Sequence, residues 1–108
     1  MAISDVELKN NYYRVLDEDN KKISEKPASL VGELQWFNSE YMVFYKNHYF
    51  TVYNETFGKI KEKPESELGE FRNIGSTINF EKNNYIISYD KRFSKLSQRH
   101  VWFFNYKA

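Results

Sequence analysis

Polar side chains recur at three places along the chain, separated by 37 and then 36 positions, and an aromatic ring accompanies them at the second and third places. The six residues that this pattern selects are Asp17, Asn20, Asn54, Phe57, Asp90 and Phe93. Carboxylate and amide groups make directional hydrogen bonds to hydroxyl groups, and an exposed ring offers an apolar face to C–H groups. The pattern therefore predicts ligand-binding sites of the kind that recognise glycans. The alternative is that these polar residues only form tight turns, where Asp and Asn are common.

Other site chemistries lack the residue types that they need. His48 and His100 lie far apart in the sequence, the chain has no cysteine, and it has no glycine-rich phosphate loop. A zinc site or a nucleophile with its base needs such groups close together. We therefore expect no metal, no cofactor and no catalytic residues, and a protein that is not an enzyme.

Charge and hydropathy limit the partners and the location. With 16 basic and 15 acidic residues the net charge is +1, which argues against binding to nucleic acid. Asp5 and Glu7 lie where an export signal needs a basic start and an apolar run. No apolar run approaches the roughly 20 residues that span a membrane. We expect a cytoplasmic protein without a transmembrane segment, either a monomer or a small homo-oligomer.

The candidate residues recur because the chain is a tandem repeat. Of the 25 residues from Lys9 to Glu33, 13 are identical to the residue that lies 37 positions later in the chain. A further shift of 36 brings in a third copy at Lys82–Tyr89. The sequence predicts one domain over residues 1–108 with units at about 1–39, 40–75 and 76–108. The third unit is expected to have lost its Glu-Lys-Pro loop, so that Leu96 is followed within four residues by Val101–Phe104.

Each unit is predicted to contain four strands, because apolar residues alternate between turn-forming segments. The first strands are Val6–Lys9, Met42–Lys46 and Ile78–Lys82, and the second are Tyr12–Leu16, Tyr49–Tyr53 and Tyr85–Tyr89. The third strands are centred on Ile23, Ile60 and Leu96, and the fourth are Leu34–Phe37, Phe71–Ile74 and Val101–Phe104. A four-stranded unit cannot bury its apolar face alone, so the copies must stack or close around an axis.

The repeat resembles the β-trefoil superfamily, with a spacing most similar to hisactophilin and the fascin units. The resemblance lies in the apolar Val6-Glu7-Leu8 strand, Tyr12, the lone Ile23 and the aromatic strand within 32–37. It implies an all-β fold with pseudo-threefold symmetry. The Gln-x-Trp signature of ricin-type trefoil lectins is absent, since Gln35 and Trp36 are adjacent. The alternative fold is three β-propeller blades completed by dimerisation.

Recurrent rings and basic clusters have structural interpretations. The rings at Tyr13, Phe50 and Trp36 are interpreted as core, whereas the set Tyr12, Tyr49 and Tyr85 could bury its rings and leave the hydroxyls in water. The basic clusters at Lys21–Lys22, Lys59–Lys63 and Lys91–Lys95 are interpreted as a solvated surface of mixed charge, because acids interleave with them.

Two functions remain open at the level of sequence. The first is lectin-like glycan recognition through the repeated hairpin turns. The second is a protein-interaction module, such as an actin- or filament-binding protein, an inhibitor or a cytokine-like ligand. The trefoil resemblance is compatible with both, since one fold hosts many functions.

Overall fold

The structure is a computed structural model that describes residues 2–101. These residues form strands joined mostly by short turns, together with two helical turns of four residues each. The strands are β1 (Asp5–Lys9), β2 (Tyr12–Leu16), β3 (Lys22–Pro27), β4 (Glu33–Phe37), β5 (Met42–Lys46), β6 (Tyr49–Tyr53), β7 (Lys59–Pro64), β8 (Glu70–Ile74), β9 (Ile78–Lys82), β10 (Tyr85–Tyr89) and β11 (Lys95–His100). The helical turns are α1 (Ala28–Val31) and α2 (Glu65–Leu68). The prediction of an all-β protein is confirmed.

The strands form three antiparallel sheets, each a simple meander. The first sheet has the order β1-β2-β3, the middle sheet β4-β5-β6-β7 and the third sheet β8-β9-β10-β11. The predicted fourth strands of the first two units, β4 and β8, pair with β5 and β9 of the next unit rather than with their own. The predicted strand Val101–Phe104 lies outside the described residues after Val101.

A two-residue turn joins the first two strands of every copy. Asn10 and Asn11 have φ values of 52° and 65°, and the equivalent pairs 47–48 and 83–84 are also left-handed. Such turns match the right-handed twist of antiparallel strands, and Asn tolerates them better than most residues. The prediction of a turn-forming segment between the first and second strands of each unit is confirmed.

As far as Val101 the third copy keeps the length of the other two, so the predicted loss of its Glu-Lys-Pro segment is wrong. Tyr85 pairs with His100 in the register in which Tyr49 pairs with Pro64. The Val101 N–H donates to the Asn84 carbonyl at 2.7 Å, and the Glu65 N–H makes the same bond to His48 at 2.8 Å. Residues 97–100 therefore complete β11 although their sequence differs from Glu-Lys-Pro. The side chains of β11 are mostly exposed, so backbone pairing with β10 can be kept while the side chains change.

Two apolar cores separate the three sheets. One lies between the first and middle sheets and contains Val15, Phe44 and Phe57. The other lies between the middle and third sheets and contains Val52 and Phe80. The middle sheet therefore buries both of its faces, whereas the first and third sheets each bury one.

The two outer faces of the stack are polar. On the third sheet, Asn79, Glu81 and Ser88 occupy the positions that Val43, Tyr45 and Val52 occupy in the middle sheet. On the first sheet, Asp5, Glu7 and Arg14 occupy the positions of Met42, Phe44 and Thr51. Polar outer faces are what terminal units of a stacked repeat require.

The sheet arrangement bears on the closure that the sequence predicted. Among residues 2–101 no buried cluster joins the first sheet to the third, and strand pairing stays within each sheet. The trefoil arrangement is therefore not confirmed, and no closed barrel is shown. The dimeric completion that the propeller alternative requires is not shown either.

Candidate functional site

The predicted polar residues of the turns hold the turns together. Asp17 Oδ1 accepts hydrogen bonds from the backbone N–H groups of Asp19 and Lys21, both at 2.9 Å. Asp90 Oδ1 accepts from Arg92 and Ser94 at the same distance. This is the side-chain turn geometry that Asp and Asn favour. One carboxylate oxygen of each residue is therefore engaged within the protein.

Asn54 has the same role in the middle sheet. Its Oδ1 accepts from the N–H groups of Thr56 at 3.0 Å and Gly58 at 2.7 Å, and from the Thr56 hydroxyl at 3.0 Å. The turn chemistry that the sequence offered as the alternative interpretation is thus present in all three copies.

The expectation that Phe57 and Phe93 present exposed rings is wrong. Phe57 is 6% exposed and Phe93 is 1% exposed. The Phe93 ring packs against Phe80 and Tyr89 with ring centroids 6.0 and 6.1 Å apart. These residues adopt the left-handed conformation, with φ of 62° and 58°. The rings therefore stabilise the cores and offer no platform to a ligand.

Asn20 shows why the first copy differs. It takes the same left-handed conformation, with φ of 63°, but its side chain is exposed. Phe57 at this position packs into the core between the first and middle sheets. No sheet among residues 2–101 covers the outer face of the first sheet, so a polar residue occupies the position there.

The structure brings two of the three predicted turns together. An open cavity of about 470 Å³ is lined by Asn54, Glu55 and Ile60 of the middle sheet and by Lys91 and Arg92 of the third. Asp90 itself and the first-sheet turn with Asp17 and Asn20 do not line it. The cavity carries side chains of both charges, which favours no single class of ligand.

A repeated groove that the sequence did not single out lies on the opposite ends of the same strands. In the first sheet an open groove of about 340 Å³ is lined by Lys9, Asn10, Tyr12, Arg14 and Glu25. In the middle sheet a groove of about 370 Å³ is lined at the same repeat positions by Lys46, Asn47, Tyr49, Thr51 and Glu62. We call these the first groove and the second groove.

Each groove combines an exposed ring with polar groups. Tyr12 is 41% exposed and Tyr49 is 45% exposed, so both rings present a face to solvent. In the second groove Glu62 Oε2 accepts a hydrogen bond from the Thr51 hydroxyl at 3.0 Å. In the first groove Glu25 Oε1 accepts a hydrogen bond from Lys22 Nζ at 3.0 Å and lies 3.9 Å from the Arg14 guanidinium. The carboxylates are thus held in place beside the rings.

The second groove has an additional wall that the first lacks. Leu30 and Val31 of α1 line it, and Lys46 Nζ donates to the carbonyls of Ser29 at 2.6 Å and Leu30 at 3.3 Å. Tyr53 also lines the groove, and burial raises the pKa of its hydroxyl above the ordinary value. The second groove is therefore the more enclosed of the two.

The third copy has lost this arrangement. Gln98 stands where the other copies have glutamate, and Ile87, which packs against the apolar core, stands where they have Arg14 and Thr51. The Tyr85 ring packs edge-on against His100, with centroids 5.1 Å apart. The recurrence of tyrosine at positions 12, 49 and 85 was the sequence signal for the groove. The glutamate joins it only through the strand register, which pairs β2 with β3 and β6 with β7.

The other structural interpretations have mixed outcomes. Tyr13 and Phe50 are buried, as predicted. Trp36 is 51% exposed, so its prediction as a core residue is wrong, because a register shift between Leu34 and Trp36 interrupts the alternation in β4. The lysines of β7 pair with acids, as in Lys59 with Glu62 at 3.3 Å and Lys63 with Glu67 at 3.0 Å, so the mixed-charge surface is confirmed there.

A small polar network lies at one end of the strands of the middle sheet. The Tyr45 hydroxyl donates to Glu65 Oε1 at 2.7 Å, and His48 Nδ1 lies 3.4 Å from the same oxygen. The hydrogen bonds from Tyr45 and His48 hold the pKa of Glu65 below its ordinary value, and the carboxylate raises the pKa of Tyr45. Within residues 2–101 no group of three or more His, Asp or Glu side chains is placed to hold a metal ion. No helix in that range is long and apolar enough to cross a membrane.

Comparisons with protein families, with curated proteins and with solved structures give no match to this chain.

Proposed function

We propose that the chain is a non-catalytic binding module that recognises glycans through the first and second grooves. The observation that carries the proposal is that two consecutive sheets line an open groove with the same four residue types. These are the pairs Lys9 and Lys46, Asn10 and Asn47, Tyr12 and Tyr49, and Glu25 and Glu62. The function remains the one that the sequence suggested, but the proposed site moves from the turns to the grooves.

The groove chemistry suits a polyhydroxylated ligand. The half-exposed rings of Tyr12 and Tyr49 provide apolar faces for C–H groups, and their hydroxyls can both donate and accept. Glu25 and Glu62 accept hydrogen bonds from sugar hydroxyls, while the amides of Asn10 and Asn47 donate and accept. The grooves are open and shallow, so we expect weak binding at each one.

Two equivalent sites on one molecule strengthen binding to a repeated ligand. A polysaccharide that reaches both grooves binds the second one intramolecularly, which raises the overall affinity without any new contact. We therefore expect longer oligosaccharides of a recognised sugar to bind more tightly than the monosaccharide.

The test is a glycan array followed by calorimetry with the glycans that bind. The double variant Tyr12→Ala with Tyr49→Ala should lose at least about tenfold in affinity, since truncating a central ring typically costs 1.4 kcal/mol or more. Tyr85→Ala is the matched control and should bind like the parent chain. The absence of any glycan ligand would overturn the proposal, and so would binding that the double variant leaves intact.

A second variant set separates the grooves from the turns. The triple variant Asp17→Ala, Asn54→Ala and Asp90→Ala removes the hydrogen bonds that hold the turns, each worth about 1 kcal/mol. We expect it to unfold at a lower temperature yet to keep its glycan affinity at 15 °C. Loss of binding by the folded triple variant would assign the site to the turns instead.

A further inference from the structure

Strand β1 lacks the neighbour that its equivalents have. β5 is flanked by β4 and β9 is flanked by β8, each of which runs antiparallel to it. On the first sheet, no strand among residues 2–101 pairs with the outer edge of β1. The side chain of Leu8 is 58% exposed there, whereas its equivalent Tyr45 packs against the core of the neighbouring sheets.

The edge of β1 is also the one regular edge among the described strands. Register shifts interrupt the pairing of each other edge strand, namely β3, β4, β7, β8 and β11. β1 pairs with β2 through five consecutive residues without a shift. Bulges are a common device for blunting an exposed edge, so β1 is the edge on which another strand fits best.

Strand geometry identifies the backbone groups that β1 offers. The two-residue turn after Lys9 makes Lys9 and Tyr12 a hydrogen-bonded pair, and such pairs alternate along an antiparallel ladder. The N–H and C=O groups of Val6 and Leu8 therefore point away from β2. The Val6 N–H is held in the free protein by its neighbour Asp5, whose Oδ1 accepts from it at 2.8 Å. A bound strand has to displace this one internal bond.

An apolar groove lies next to this edge. β4 of the middle sheet packs on β8 of the third sheet. The first sheet has no fourth strand among the described residues to pack on β4 in the same way, so that side of β4 is uncovered. The open groove there has a volume of about 380 Å³ and is lined by Leu34, Gln35, Trp36 and Phe37. Leu34 and Phe37 pack on the same core as Val6, and Trp36 is 51% exposed. A strand added to β1 would lie over these residues.

We infer that the edge of β1 binds an extended peptide segment of another protein, which adds a fourth strand to the first sheet. The occupant is a single strand with apolar residues opposite Val6 and Leu8 and basic residues opposite Asp5 and Glu7. Charge complementarity sets the second requirement, because Asp5 and Glu7 lie together on the outer face of the sheet. Glu7 already pairs there with Arg14 at 3.3 Å, so a basic side chain of the occupant has to share that carboxylate. This site shares no residue with either proposed glycan groove.

A second copy of the chain does not fit this edge through its own β1. Antiparallel pairing of two β1 strands would form one continuous sheet, and each β1 has β5 packed beneath it. The β5 strand of the second copy would then occupy the place of β4. A lone extended segment has no such second layer, which is the usual form of recognition by strand addition.

The register of β4 on β5 supplies a peptide probe. Glu33 is opposite Tyr45, Leu34 is opposite Phe44 and Phe37 is opposite Met42. When a peptide with this sequence pairs with β1 in the same register, its positions 33, 34 and 37 lie opposite Leu8, Glu7 and Asp5. The probe is therefore an eight-residue peptide with the sequence of residues 32–39 carrying Glu33→Leu, Leu34→Lys and Phe37→Lys. The charge control carries glutamate in place of the two new lysines.

The binding experiment uses the full chain and the fluorescently labelled peptides. The lysine peptide should bind saturably with a dissociation constant below about 1 mM, weak because one added strand buries less than a standard interface. The glutamate peptide should bind at least about threefold more weakly. Leu8→Pro removes an outward N–H and should lower the affinity at least about tenfold, since proline cannot donate to the ladder. Gln98→Pro on the edge of β11 is the matched control and should not change it.

Peptide chemistry keeps the test valid if Leu8→Pro does not fold. In β4 the amide at Trp36 faces β5, whereas the Leu34 N–H donates instead to the Tyr13 hydroxyl at 3.2 Å. N-methylation of the peptide at position 36 should therefore abolish binding, and N-methylation at position 34 should not. No saturable binding up to about 1 mM, or equal binding of the two methylated peptides, would overturn the inference.

Discussion

The middle sheet and the third sheet have the same strand order and nearly the same register, yet only the middle sheet has two apolar faces. Val43 and Val52 of the middle sheet are fully buried against the third sheet. Their equivalents Asn79 and Ser88 share a hydrogen bond of 2.7 Å on the outer face of the third sheet. The backbone repeats, but the side chains follow the number of neighbouring sheets.

This difference shows where the stack of three sheets ends. The described sheets are terminated on both sides by polar faces, which prevents further copies from stacking on the ends. A face-to-face partner is therefore not expected at either end of the stack. The surfaces that remain for binding among the described residues include the grooves on the strand ends and the edge of β1.

The largest difference in stability is expected at the left-handed turn position that Asn20, Phe57 and Phe93 share. Phe93 is buried against the middle sheet, whereas Asn20 is exposed on the first sheet. We expect Phe93→Asn to lower the free energy of unfolding by about 3 kcal/mol, because a large ring leaves the core and only backbone strain is relieved. The measurement is urea-induced unfolding followed by circular dichroism.

The matched variant at the exposed position is Asn20→Phe. It places a ring in solvent at the same backbone conformation, so we expect a change of less than about 1 kcal/mol. A larger destabilisation by Asn20→Phe than by Phe93→Asn would show that backbone strain, rather than burial between sheets, decides this position.

A second exchange tests the two faces directly. Val52→Ser puts a hydroxyl into the core between the middle and third sheets, and we expect it to cost about 2 kcal/mol. Ser88→Val at the equivalent outer position loses only the bond to Asn79 and should cost less than about 1 kcal/mol. If Ser88→Val proved as costly as Val52→Ser, the outer face of the third sheet would have to be buried against something else.

The strands and turns could be predicted from the sequence because they depend on local patterns. Alternating apolar residues and the Asn-Asn or Asn-His turns before them predicted the bounds of β2, β6 and β10 as the structure has them. Trp36 was mispredicted because a register shift turns it outward, and a shift leaves no signal in the alternation of one strand. The partner of each fourth strand could not be predicted, since β4 and β8 fit either the preceding or the following unit by pattern alone.

The candidate site depended on contacts between segments, which one sequence does not reveal. Phe57 and Phe93 belong to a polar turn in the sequence, but their burial depends on the neighbouring sheet. Glu62 joins Tyr49 in the second groove only through the pairing of β6 with β7. The likeness between the first and second grooves was visible in the repeat, whereas their open shape was not.

The smallest effect concerns the pKa values of two equivalent tyrosines. Burial raises the pKa of Tyr53 and of Tyr89 above the ordinary value of 10.0, whereas the first sheet has Leu16 at this position. Above pH 10 the unfolded chain loses these protons while the folded chain retains them. The stabilisation is therefore fully present below pH 10 and is lost as the pH rises through the higher folded values.

Unfolding by urea at pH 9, 10 and 11 measures this dependence, with tyrosinate absorbance as an independent record of the titration. The double variant Tyr53→Phe with Tyr89→Phe should lose stability less steeply above pH 10 than the parent chain. Part of the slope should remain, because burial also raises the pKa of Tyr41. Leu16→Phe is the control and should leave the slope unchanged, since it changes the same repeat position without removing a titrating group. An identical slope in the double variant would show that these two hydroxyls are as well solvated in the folded chain as in the unfolded one.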